Sequence, residues 1–576
     1  MAWMKSKSLT LSLRDRAVRT EISVLTVLLV FVTAVAVAPL SRLLFEGIAP
    51  SGVFDWGRIQ RIFNQASVWR AAVNTLIMAT GSAALATLIG ALLAAAVAVT
   101  DIRTKASLVF CVILPLMIPP QVATLAWINL FGSSSTLLSM LGLAAEAGTR
   151  HPLYSLEGII IVLGLHNAPL VFLAVRASLR ALPSDLVEAA RSEGASPLRA
   201  FLSIVLPLAR SGLISGAALA FVSAAGNFAV PAMLGIPGRV PTLITLIYQR
   251  LSDYGQEAFA DVALLSLSLG AIAVSGLLFQ SWLLRRRDIR ITSLTATPLR
   301  FSLGPWRRPT EIACWVFALG VLVLPLLALL STALVSGYGQ ALTTETATLK
   351  NFTNALFHHT MIRGAFMTSA WLAAATAVIL TIVGIPLAYF IVWRPNSLVR
   401  VASAVLEVGY ALPGTLVALA AILLLIKPIP IIQVSLYGTP WIILLAYLTN
   451  RSVLSLRPIV SGFMQLDRSL EEAARVVGAG FFRRLRDIII PLVAPAAGAG
   501  AILVFLTVLT EIQVSVLLVT SSTRTIGASV YFLEESGATT LAAAVGVLIV
   551  VAVFCLMLFV SSFKDRLPKG ILPWAE

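Results

Sequence analysis

Charge is what this chain has least of. Asp, Glu, Lys and Arg make up 12% of its 576 residues, about half the share of a water-soluble globule, so a solvated surface over most of the chain is excluded. Cysteine is scarcer still: Cys111, Cys314 and Cys555 stand alone in apolar stretches, leaving neither a disulfide framework nor a CxxC metal site. The dipeptide Gly-Lys never occurs, so no P-loop can cradle nucleotide phosphates. HExxH and GxSxG are also missing, which removes the common metal-hydrolase and serine-hydrolase arrangements. Of the four histidines, the adjacent pair His358-His359 makes a poor metal site by itself, and His151 beside Pro152 reads as a solvated loop residue. The chain is therefore expected to bind no metal or cofactor and to carry no catalytic residue.

What remains is apolar. Hydrophobic residues reach 58% and mean hydropathy is +0.94, as expected of an all-α integral membrane protein. Stretches of about 20 apolar residues can cross the hydrocarbon core as helix. Twelve can be marked, near 22–45, 72–98, 106–131, 157–177, 211–235, 260–284, 312–335, 364–391, 402–426, 440–460, 494–519 and 538–562. The first is too long for the core of a cleavable signal peptide and reads as an uncleaved span. Proline interrupts several, as in "LPLMIPPQVATLAW" (114–127) and "EVGYALPGTLVALA" (407–420), which a helix bundle tolerates. With a cytosolic N-terminus and alternating spans, the cytosolic segments and adjoining helix ends hold 30 Lys/Arg against 14 Asp/Glu, and the opposite side 11 against 10. That bias is the positive-inside signature and puts both termini in the cytosol. It also accounts for the net charge of +16 without nucleic acid, leaving the lipid bilayer as the first partner.

The chain repeats itself. At an offset of 284, Asn227 lies over Glu511, and His166-Asn167 over Asn450-Arg451. Further upstream the offset becomes 294, placing Pro119 on Pro413 and Gly90 on Gly384. Each half thus holds six spans in one order. An even number makes them parallel repeats about an axis along the membrane normal. The expected division is a first half over 1–290, a basic cytosolic linker over 291–310 and a second half over 311–576.

Between the fourth and fifth spans of each half comes a polar sentence written twice, "EAARSEGASPLRAFLSIVLP" (188–207) and "EAARVVGAGFFRRLRDIIIP" (472–491). Glu188, Ala189, Ala190, Gly194, Ile204, Leu206 and Pro207 recur as Glu472, Ala473, Ala474, Gly478, Ile488, Ile490 and Pro491. Leu186 to Glu193 suits a short helix, Gly194 a stop at positive φ, and Pro197 the opening of the next turn. The expected unit is helix, bend, helix, with small alanine faces that another backbone could approach.

The spacing E-A-A, three residues, G, nine residues, I-x-L-P resembles the cytosolic loop of the permease subunits of binding-protein-dependent ABC importers. In that family the loop forms a coupling helix seated in a groove of the ATP-hydrolysing subunit. The fused form resembles the iron(III)-type permeases, through "EGASPLRAFLSIVLPLARSGLISGAALAFVSAAGNFAVPAMLG" (193–235), "YLTNRSVLSLRPI" (447–459) and "VFLTVLTEIQVSVLLV" (504–519). The likeness covers about 70–285 and 360–562, but Asn227, Phe228 and Ala229 stand where many relatives carry an acidic residue and a Gly. The resemblance implies a type I-like permease in a bacterial cytoplasmic (inner) membrane, two copies of a separate ATPase that holds ATP-Mg, and a periplasmic or surface substrate-binding protein. Ferric iron is the first substrate it implies; organic phosphates or phosphonates, thiamine and polyamines are alternatives.

Glu407, Glu511 and Arg451 lie within predicted spans, where a charge at mid-depth costs about 2.5–3.5 kcal/mol. With Asn227 they are candidates for the translocation path. A structural reading competes, in which Arg451 pairs with a Glu between the tenth and eleventh spans. A remoter alternative for the whole chain is a secondary transporter driven by an ion gradient, with these carboxylates at its coupling site.

Overall fold

The structure is a computed structural model and describes residues 19–50, 52–146, 148–254, 258–285, 300–428 and 433–562. The linker expected at 291–310 lies outside these residues as far as 299, and so do the termini, 1–18 and 563–576, whose cytosolic placement rests on charge. Apart from two isolated bridges, Thr100 with Phe301 and Val335 with Ala347, the regular structure among the described residues is helical.

Among the described residues eight helices are long and apolar enough to cross a membrane: Arg19–Ile48, Ala66–Val99, Leu156–Arg180, Phe259–Arg285, Gly304–Ala333, Thr360–Trp393, Phe481–Leu509 and Thr539–Phe559. Three bent pairs raise the number to eleven. The twelfth expected span is the 25-residue helix Pro440–Met464; it has the length but carries Asn450 and Arg451 at its middle, which lower its apolarity.

Two of the bends have a cause legible in the chain. Lys105–Met117 meets Pro120–Met140 at 100°, and Ser397–Ala411 meets Gly414–Leu425 at 113°. At the corners, Ile118 and Leu412 each precede a proline and adopt extended ψ of 128° and 142°, because the proline ring disfavours helical geometry in the residue before it. They are the same position of the repeat.

The described residues form two compact units, each taking helices from both ends of the sequence. One gathers the segment up to Glu46, Ala365–Thr525 and the chain from Leu558; the other gathers Gly47–Gly364 with Ile526–Met557. In the first unit Leu28, Val32 and Ala36 of the opening helix pack with Ile385, Val453 and Leu456. In the second, Cys314 and Ala318 pack with Leu108, Val112 and Val175.

Within each unit small residues let backbones touch. A Cβ on Gly90 would lie 2.6 Å from the Ala168 carbonyl oxygen, so Ala66–Val99 and Leu156–Arg180 meet there in backbone contact. A neighbouring contact is solved in opposite senses. In one unit Gly212 faces the Cβ of Ser178; in the other Gly462 faces the Cβ of Ala496. At the offset of 284 these are the same two positions, with the glycine on the other helix. Close packing of small residues is a main source of cohesion between helices in lipid.

Candidate functional site

The two polar sentences fold alike. Asp185–Ser192 and Ser469–Val476 are eight-residue helices. Each ends in a left-handed glycine, Gly194 at φ 87° and Gly478 at φ 82°. The Gly194 N–H donates to Arg191 O (3.0 Å) and the Ala195 N–H to Ala190 O (3.0 Å); the second loop repeats this with Gly478 to Arg475 (3.1 Å) and Ala479 to Ala474 (3.0 Å). This double bond closes the helix as a Schellman motif. No atom lies within 4 Å of a Cβ placed on either glycine, so the positive φ alone demands it.

Beyond the bend, Ser196 accepts from the Arg199 N–H and Pro197 opens a new turn, while Gly480 holds the matching place in the second loop. Both arms then widen into one π-turn, Phe201–Val205 and Leu485–Ile489. Pro207 and Pro491 follow two residues later. Having no N–H, each leaves a carbonyl one turn back unbonded, and the wider turn takes up the mismatch. Glu188, Ala189, Gly194, Leu206 and Pro207 are exposed, with Ala190 and Ile204 half-buried; Glu472, Ala473, Gly478 and Pro491 are exposed, with Ala474 and Ile488 half-buried. Glu472 pairs with Arg468 at 3.1 Å. The outer faces differ, since Val476 and Val477 are 87% and 83% exposed where the first loop has Ser192 and Glu193.

The anchoring beneath the loops is where sequence reasoning missed the most. Val187, Ala200 and Val205 sit in an apolar cluster with Phe301, and Phe201 meets the Phe301 ring edge-on at 6.5 Å. In the second loop the places of Val187 and Ala200 belong to Glu471 and Arg484, each 1% exposed. Arg484 forms an ion pair with Glu471 through Nη1 and donates from Nη2 to Glu21 Oε1 at 2.6 Å. The Tyr389 hydroxyl lies 3.3 Å from Glu471 and 3.4 Å from Glu21. The signal was in the repeat alignment: an apolar pair in one copy faces a pair of opposite charges in the other.

The intramembrane polar residues also take definite places. Asn227 follows the last turn of Arg210–Gly226 and accepts the Val230 N–H through Oδ1 at 3.1 Å. Glu511, its counterpart, accepts the N–H groups of Val514 (2.8 Å) and Ser515 (3.2 Å), and Arg451 Nη2 stands 3.6 Å away. Both therefore cap a broken helix. Asn167, in the place of Arg451, accepts from the Ser223 hydroxyl at 2.8 Å. One half thus carries Asn167 and Asn227 where the other carries an Arg–Glu pair. Asn450 donates to the carbonyls of Gly409 and Leu412, freed at the 113° corner. His166 holds that place in the first half and borders a cavity of about 30 Å³ beside Pro115 and Ile118. Glu407 lies in an exposed ion pair with Arg457 at 2.7 Å.

His151 corrects the reading of a solvated loop residue. Its Nδ1 accepts the Leu153 N–H, its Nε2 lies 3.1 Å from Ile128 O, and its ring stacks on Tyr154 at 4.4 Å. Burial pushes its pKa down, partly offset by the Ile128 carbonyl. The loop folds inward because both nitrogens find backbone partners. Among the described residues no group of three or more His, Cys, Asp or Glu could hold a metal ion.

Comparison with known proteins places this geometry. The chain is 26% identical over 509 residues to a probable ABC transporter permease, y4fN, of Sinorhizobium fredii, covering 86% of each chain. It is 24% identical over 561 residues to the ferric transport system permease FbpB of Actinobacillus pleuropneumoniae, covering 95% of this chain and 79% of that one. To the molybdenum transport permease ModB of Escherichia coli it is 33% identical over 134 residues, which is 23% of this chain and 58% of the other. Residues 86–289 and 381–571 each match the family described as the binding-protein-dependent transport system inner membrane component. The chain belongs to that family, as an all-helical ABC importer permease with two permease domains on one polypeptide, a transport component and not an enzyme.

Proposed function

We propose that this chain forms both halves of the pathway of an ATP-driven ferric importer in a bacterial cytoplasmic membrane, with both termini cytosolic. Each twin loop seats on one copy of a separate ATPase through Glu188, Ala189, Ala190 and Gly194, or through Glu472, Ala473, Ala474 and Gly478. The observation that carries this reading is the helix, left-handed glycine and π-turn repeated at matched positions over unlike anchors. A shape kept while its support changes is a shape that a partner reads. ATP closes the ATPases, draws the two loops together and turns the pathway outward toward a separate binding protein; hydrolysis resets it. Asn227 and Glu511 border the path through the backbone they cap, with Arg451 as the counterion of Glu511.

Ferric iron is favoured because a relative that aligns along 95% of the chain is a ferric transport permease. The intramembrane carboxylates do not bear on substrate charge, since Glu511 and Glu407 each have an arginine within 4 Å. The test is reconstitution of the chain with its co-encoded ATPase and binding protein in nanodiscs. Ferric-loaded binding protein is expected to stimulate ATP hydrolysis, and Gly478→Arg to abolish the stimulation while the chain stays in the membrane. Stimulation by a phosphate ester or by molybdate and not by iron would reassign the substrate; full stimulation of Gly478→Arg would remove the docking role.

A further inference from the structure

Arg484 joins four elements of one compact unit. It lies on the arm after the Gly478 bend; Glu471 belongs to the docking helix, Glu21 to the opening span Arg19–Ile48, and Tyr389 to Thr360–Trp393. Its guanidinium holds both carboxylates, and Arg394 Nε stands 4.0 Å from the other oxygen of Glu21. Two arginines thus balance two glutamates. A planar fork of donors suits this task because it fixes direction as well as distance.

The first loop shows that the fold does not need such a device. There Val187, Ala200 and Ala95 occupy the places of Glu471, Arg484 and Tyr389, all within or against an apolar cluster. Apolar contact is non-directional and lets packed surfaces slide, whereas a buried ion pair has one arrangement and a steep cost for leaving it. We infer that Glu21 is a positioning residue for transport: through Arg484 it locks the opening span to the second docking loop, so that the two move as one body when the ATPases close. This rests on the docking reading of the loops given above.

The experiment uses the assembled transporter in nanodiscs with native cysteines replaced and spin labels at Ser23→Cys and Ser469→Cys, both exposed. The interlabel distance is expected to stay constant between nucleotide-free and ATP-bound states. Glu21→Gln leaves Arg484 paired with Glu471 and keeps a hydrogen-bond acceptor, but takes the charge, and with it most of the strength, out of the link to the span. In it the distance should become nucleotide-dependent, and substrate moved per ATP should fall about 10-fold, within the range by which coupling residues act, while the ATPase still co-purifies. Glu21→Asp should restore the ratio. The double variant E471V/R484A, which installs the residues of the first loop, should fold and show the same loss. A wild-type transport-to-hydrolysis ratio in both Glu21→Gln and the double variant overturns the inference, as does a distance that already varies in the unsubstituted protein. Failure of any ATPase to co-purify with the unsubstituted chain overturns the docking reading, and this inference with it.

Discussion

The two docking loops run the same backbone course at an offset of 284 residues, yet one stands on Val187 and Ala200 and the other on Glu471 and Arg484. A buried ion pair adds little net stability over an apolar isostere, but losing one member is costly because the other is left charged in a dry site. The comparison separates what the loop needs from what its support adds. Shape comes from the Schellman glycine and the proline-driven π-turn, which both copies share. The ion pair of the second copy adds directional attachment to the opening span.

Breaking that support should produce the largest effect. Arg484→Ala leaves Glu471 and Glu21 without their shared cation and is expected to cost about 3–5 kcal/mol, seen as loss of monodisperse protein on detergent extraction. E471V/R484A should instead recover most of the wild-type melting temperature. If the double variant extracts as poorly as the single one, the two loops are not alternative solutions to one packing problem.

A second contrast sharpens the same lesson at the helix breaks. Glu511→Ala removes a cap and strands Arg451, for a loss of roughly 2–4 kcal/mol. Asn227→Ala removes only a cap, for about 1 kcal/mol. The pair R451N/E511N installs the first half's residues and should fall within ~1 kcal/mol of wild type. Thermal unfolding of the three proteins in one detergent checks the order, and equal losses for Glu511→Ala and Asn227→Ala would remove the ionic contribution.

Smaller effects follow at the bends. Gly194→Ala and Gly478→Ala meet no neighbouring atom, so their cost is the left-handed backbone alone, about 1–2 kcal/mol. Asn, which tolerates that region, should cost less. Protection of the Ala195 and Ala479 amides against hydrogen exchange reports it; equal protection in the Ala and Asn variants would contradict the φ argument. Smallest is Glu472→Gln, which breaks an exposed pair with Arg468 and should change stability by less than ~0.5 kcal/mol.

His151 adds a pH effect. Its pKa is depressed below the ordinary 6.5 by burial, so the folded state favours the neutral ring. The stability it contributes is full above that value and declines as pH falls below it, because the unfolded chain then takes up the proton first. Melting temperature followed downward from pH 7.5 should show this decline, and His151→Gln should flatten it.

Much of this was legible in advance. Hydropathy places the spans, and the repeated sentence predicts the helix, the glycine stop and the proline start, because short-range rules govern each. Of the two readings open for Arg451, the structure shows the pairing, with Glu511 at 3.6 Å. What escaped was long-range. Glu21 and Arg484 are 463 positions apart, and no local rule joins them; only the mismatch of charge against Val187 and Ala200 hinted that a third party was present. His151 escaped for a simpler reason, that a polar loop residue can be folded inward by backbone partners on both ring nitrogens.

The exchange of end helices has a consequence for synthesis. The Thr449 hydroxyl donates to the Val35 carbonyl across 414 residues, so the opening helix leaves the ribosome long before the helix it will pack against exists. At about 5–20 residues per second, that interval is on the order of 20–80 s. During it the stretch around Val35 must wait in lipid for the neighbour it will bond. The opening helix's mean hydropathy of 2.5, with only 28% of that window buried in the final fold, suits a helix that meets lipid both during that period and in its final place.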